Sequence, residues 1–107
     1  MKYFRLKFDG FDWDDGNTAK ITARLTLDEV ELLFKQKLLV KEDTRHSFSE
    51  ERWIVMGNHP NGRCIFVAFT IRKKGDESLI RPISARYMHE KEQKIYEEIK
   101  KNLSKEN

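Results

Sequence analysis

Residues 63–72 read RCIFVAFTIR, the most apolar stretch in the chain, and turn-forming sequences flank it: HPNG before, KKGDES after. A continuous apolar run between turns suits a central strand covered on both sides. A sheet is therefore the organising element, and the flanking runs supply its other strands. RWIVMGN (52–58) leads into the first turn as a hairpin partner, and LIRPISAR (79–86) leaves the second. In that last strand Pro82 lacks an N–H, so the strand should be an edge or carry a bulge there. In an unbroken strand Arg81 and Arg86 would point to opposite faces.

Upstream, YFRLKF alternates, with Phe4, Leu6 and Phe8 on one side and Tyr3, Arg5 and Lys7 on the other, as in a strand with one buried face. DGFDWDDGN then stops regular structure. Residues 17–37 have helical spacing. Ile21 and Leu25 mark a first short helix, and Val30, Leu33 and Phe34 line one face of a second. LLVKED is a further strand and TRHSFSEE a polar loop. From about His89 the chain is helical, with Ile95, Ile99 and Leu103 at i, i+4 and i+8, and Glu90–Lys94 as a favourable i, i+4 pair. The order β-α-α-β-β-β-β-α predicts one α+β domain over 1–107 with a mainly antiparallel sheet, and disorder in the final residues NLSKEN.

Composition narrows the chemistry. The formal charge of +3 tolerates a nucleic-acid partner without demanding one. One cysteine, Cys64, excludes an internal disulfide and a cysteine-based zinc cluster. Neither a secretory leader nor a membrane span is visible, which makes the cytoplasm the default location. His46, His59 and His89 show no metal-ligand spacing, and His59, before Pro60 in a turn, reads as solvated. The acidic cluster Asp9, Asp12, Asp14 and Asp15 fails the calcium-loop pattern; capping carboxylates in a loop leading to a helix explain it more simply. No metal or cofactor is expected. What remains is polar groups that could converge in three dimensions: His46, Arg52, Arg63, Arg72, Arg81, Arg86 and Tyr96.

Their order carries a resemblance. FDWDDGN, LDEVELLF, RHSFSEERWIVMG, GRCIFVAFT, IRPISAR and KEQKIYEE together resemble the BrnT family, toxins of bacterial type II toxin–antitoxin pairs, over residues 11–98. The most specific piece is Ile83-Ser84-Ala85-Arg86, followed by Glu92 and Tyr96. The resemblance implies a RelE-like fold with helices on one face of an antiparallel sheet. It implies an endoribonuclease that blocks translation, and a ribbon-helix-helix antitoxin of the BrnA type that represses the shared operon. Three places depart from the family: Ala23-Arg24-Leu25 stands where many members carry Lys-His-Gly, Pro82 replaces an aliphatic residue, and His89 replaces a Ser or Thr cap.

For such an enzyme the RNA supplies its own nucleophile, the 2′-hydroxyl, so the protein must orient the strand, move a proton and stabilise charge on the phosphorane. Arg81 and Arg86 are the expected phosphate-binding and charge-stabilising groups. His46 is expected to transfer the proton, and Tyr96 either to orient or stack on a base or to serve in packing. Arg63, Arg52 and Arg72 are expected to bind RNA phosphates. The alternative is a catalytically degenerate relative that only holds a DNA-binding antitoxin.

Overall fold

The structure, a computed structural model, describes residues 2–44 and 50–105. Strand β1 (Lys2–Arg5) and a two-residue strand β2 (Gly10–Phe11) precede helices α1 (Asp15–Thr22) and α2 (Leu27–Phe34). Strands β3 (Lys37–Glu42), β4 (Trp53–Asn58), β5 (Cys64–Lys74) and β6 (Glu77–Tyr87) follow, and α3 (Glu90–Lys105) closes the chain. They form a six-stranded sheet in the order β1-β3-β4-β5-β6-β2, antiparallel except where β2 runs parallel to β6. This is the expected α+β fold, with β5 central in the sheet.

Helices α1 and α2 each start on a matched cap. Asp14 accepts from the Gly16 amide at 2.8 Å, while Asn17 accepts the Asp14 amide at 2.9 Å. Thr26 and Glu29 form the same reciprocal pair at the start of α2, at 3.1 and 2.8 Å. The capping role expected of the acidic cluster thus falls to Asp14. The β4–β5 and β5–β6 turns each use a glycine at positive φ, Gly62 and Gly75, a conformation that other residues adopt only with strain.

Helices α1 and α2 cover one face of the sheet. Ile21, Val30, Leu33 and Phe34 pack there against Leu38, Val55, Val67, Phe69 and Ile80. Phe34 is the hub, with its ring in edge contact with Phe8, Phe11 and Phe69. On the opposite face, Tyr96 packs with Leu39, Met56 and Cys64, with Ile99 and Leu103 of α3 alongside. The resemblance placed the helices on one face; the third helix instead lies on the other. The cause is alternation along β5, whose Cys64 and Phe66 are apolar on the side away from α1 and α2 and need cover of their own.

Three boundaries differ from the sequence reading. The first strand ends at Arg5, although Leu6 and Phe8 still pack into the core. Within the expected irregular stretch, Gly10–Phe11 pairs with Leu79–Ile80. Helix α3 runs through Lys105, so it takes in the first four residues of NLSKEN, and the last two lie outside the described residues.

At Gly57 an added Cβ would lie 2.4 Å from Leu33 Cδ1 and 2.6 Å from Leu38 Cδ2. Both leucines are fully buried, so neither can swing into solvent. Gly57→Ala is expected to lose about 1–3 kcal/mol by overpacking, read as a lower urea midpoint. An unchanged midpoint would show that α2 shifts off β4 without cost.

Pro82 sits at a bulge. Phe69 faces Pro82 and Ala68 faces Ser84, so Ile83 is the extra residue. The strand is not an edge at its start, where β2 covers it. Beyond β2, α1 takes over its flank, and Asn17 fastens the bulge by donating to the Pro82 carbonyl at 2.8 Å and the Asp12 carbonyl at 3.0 Å. Asn17 is only 3% exposed, so these bonds are protected from water. The bulge also resets the alternation: Arg81 faces Thr70 and Arg86 faces Phe66, which share one face of β5.

Candidate functional site

Helix α3 covers one end of its sheet face. At the other end the row Lys41–Ile54–Ala68–Ser84 crosses four paired strands, and α3 does not extend over it. Ala68 and Ser84 are small, so the row forms a depression. It is the floor of a cleft of about 710 Å³, with one wall from the end of α1 (Lys20, Ala23, Arg24) and another from the start of α3 (Glu92). Among the described lining residues, Lys20, Arg24, Lys41, Arg52 and Arg86 are basic and only Asp43 and Glu92 acidic. Five cations against two carboxylates concentrate positive charge around this one concavity.

Arg86 is firmly held. Its Nη1 and Nη2 donate to the two carboxylate oxygens of Glu92, each at 2.9 Å, and Nη1 also donates to the Tyr87 carbonyl at 3.2 Å. The guanidinium lies over the Phe66 ring, 4.6 Å from its centroid. Glu92 is held in turn, because its Oε1 accepts the His89 amide at 2.9 Å. Thus His89 lacks the usual capping hydroxyl, yet Glu92 still supplies its half of the cap.

The Arg86 guanidinium and the His89 amide hold the Glu92 carboxyl far below its ordinary value, at about 2. A folded-state value below the unfolded one stabilises the fold above about pH 4.5, and the contribution is lost as pH falls toward 2. Glu92→Gln keeps an acceptor for the cap but cannot titrate. Its stability deficit relative to wild type is therefore expected to shrink over that interval, measured by urea titrations at pH 6, 4 and 2.5. A deficit constant with pH would show that the charge of Glu92 contributes nothing.

The remaining expected residues separate. Arg52 lines the cleft with Arg86. Arg81 does not: its guanidinium, 15% exposed, makes two 3.0 Å bonds to Asp14 and lies 3.4 Å from Asp12. It fastens the start of α1 to β6. Arg63 stacks over Tyr87, 3.7 Å from the ring centroid, at the far end of the sheet. Arg72 pairs with Glu50 at 3.1 Å in the open. Tyr96 is 2% exposed beneath α3, with its hydroxyl 3.0 Å from Asn58 Oδ1, and burial pushes its ionisation upward. No ring face is open there for a base. His46 lies outside the described residues.

His59 is not solvated as its turn position suggested. Its side chain is 10% exposed, with Nε2 against the Glu29 carboxylate and Nδ1 accepting the Asn61 amide at 3.0 Å. It ties the turn to the start of α2. Sequence reading missed Lys20, Arg24 and Lys41. A Lys and an Arg four residues apart at the end of a short helix were the available signal, because that spacing puts both on one face.

The fold and the cleft define a small α+β protein with a basic concavity on one face of its sheet. A family model described as the ribonuclease toxin, BrnT, of type II toxin–antitoxin system matches residues 13–92. The chain belongs to that family, and a type II system implies a protein antitoxin as its partner. No curated protein matches the chain. Among the described residues, no helix is long and apolar enough to cross a membrane.

Proposed function

We propose that this chain is a metal-independent endoribonuclease that inhibits translation by cutting RNA in the basic cleft. The observation that carries the reading is the placement of Arg86, a guanidinium held in plane by Glu92 and Phe66 within a cleft bearing four further cations. Lys20 and Arg24 on one wall, and Lys41 and Arg52 toward the other, suit successive phosphates of a single strand. The 2′-oxygen attacks the adjacent phosphorus and loses its proton. The P–O5′ bond breaks, and the 5′-oxygen takes a proton. The products are a 2′,3′-cyclic phosphate and a 5′-hydroxyl. Arg86 stabilises the charge that builds on the phosphorane oxygens. A proton-transfer role for His46 stands on its sequence position between the cleft-lining Asp43 and Arg52.

Arg81 and Tyr96 serve this site by holding α1 and α3 in place. Arg63 and Arg72, outside the cleft, add charge to the RNA-facing surface. The partner is a BrnA-like ribbon-helix-helix antitoxin, through which operator DNA is bound.

Induced expression in bacteria tests the proposal, with growth and RNA integrity followed together. Growth arrest with new 5′-hydroxyl ends on mRNA is expected. Normal growth with intact RNA, together with tight antitoxin binding, would instead establish the non-catalytic binding module.

A further inference from the structure

We infer that Glu92 is a positioning residue for Arg86, taking the end of the guanidinium so that its side edge faces a phosphodiester in the cleft; this rests on the ribonuclease reading above. Arginine carries five N–H donors in one plane. Three are occupied: both on Nη1, by Glu92 and the Tyr87 carbonyl, and one on Nη2, by Glu92. The other two, Nε–H and the second Nη2–H, lie side by side along one edge and meet no acceptor among the described residues. That edge has the fork spacing that binds two phosphate oxygens at once.

The device is braced from behind. Glu92 cannot swing away without releasing the His89 amide, and Phe66 limits rotation of the guanidinium plane. A site built only to bind a polyanion would do better without a carboxylate in its wall. Glu92 therefore acts with opposite sign on two quantities: it weakens RNA binding by repulsion and speeds cleavage by orientation. A residue with a merely structural role would regain its cleavage once the lost stability is restored.

The test uses the full chain. Binding is measured by fluorescence anisotropy on a fully 2′-O-methylated single strand, which cannot be cut, and cleavage is measured on mRNA in a translating extract. Glu92→Ala should bind the methylated strand more tightly than wild type, while cleaving about tenfold to a hundredfold more slowly. Glu92→Gln should fall between. His89→Ser combined with Glu92→Ala restores a capping hydroxyl to α3 and should recover thermal stability without recovering cleavage. Wild-type cleavage by Glu92→Ala overturns the inference, as does recovery of cleavage together with stability in the double variant. If wild type leaves the mRNA intact, or Arg86→Ala cleaves as fast as wild type, the ribonuclease reading falls and the inference falls with it.

Discussion

Arg86→Ala is expected to slow RNA cleavage by about a hundred- to a thousandfold, the usual cost of removing one preorganised donor to a developing oxyanion. The fold should survive. The Arg86 and Glu92 side chains are 40% and 32% exposed, so the pair contributes at most about 1 kcal/mol. A thermal melt within a few degrees of wild type, with growth arrest abolished on induction, is the expected combination. Arg86→Lys sharpens the result. Lysine restores the charge but offers one compact ammonium, which cannot hold Glu92 along one edge and two phosphate oxygens along another. It should recover RNA binding and little of the rate. Full activity in the lysine variant would show that charge alone is needed at this position and would remove the bidentate geometry from the mechanism.

The second large effect is on stability. Phe34→Ala should destabilise the protein by about 3–5 kcal/mol. The side chain is 1% exposed and touches rings from three different segments: Phe8 in the loop after β1, Phe11 in β2 and Phe69 in β5. A domain of this size has about 5–15 kcal/mol in total, so the variant should approach the unfolding threshold at 37 °C. Urea denaturation checks this through a lower midpoint at unchanged slope. A loss below about 1 kcal/mol would mean that Phe8 and Phe11 close over the vacated space, so that the cluster has no single centre.

The strands β4 to β6 were legible because their signals are local. Each is an apolar or alternating run, and the turns at Gly62 and Gly75 separate them. Strand β2 was not legible, because its two residues pair with Leu79 and Ile80 far along the chain and two residues hold no period. The side of the sheet that α3 covers was equally hidden. It depends on Cys64 and Phe66 being apolar on one face of β5 while Val67 and Phe69 are apolar on the other, a run in which both faces look alike.

The site divides in the same way. Arg86 stood out because it ends Ile83-Ser84-Ala85-Arg86, the stretch on which the resemblance chiefly rested, and the chain's membership of that family bears out the recognition. Lys20 and Arg24 look in sequence like the solvated side of a short helix. Only the docking of α1 along β6, by Asn17 on Pro82 and Asp14 on Arg81, turns them toward the cleft. Arg81 and Arg86 are alike in sequence, five positions apart on one strand. What distinguishes them is the two carboxylates waiting beside Arg81.

Ile83, the one unpaired residue of β6, acts as a phase shift. Upstream of it the strand keeps the beat that sets Ile80 into the α1–α2 core; downstream it keeps the opposite beat, so that Ala85 fills the same core and Arg86 looks out. An uninterrupted strand would place Arg86 opposite Ile65, inside the apolar layer, and turn Ala85 toward the cleft. A single residue without a partner therefore lets one strand anchor a helix with its first half and present a cation to solvent with its second.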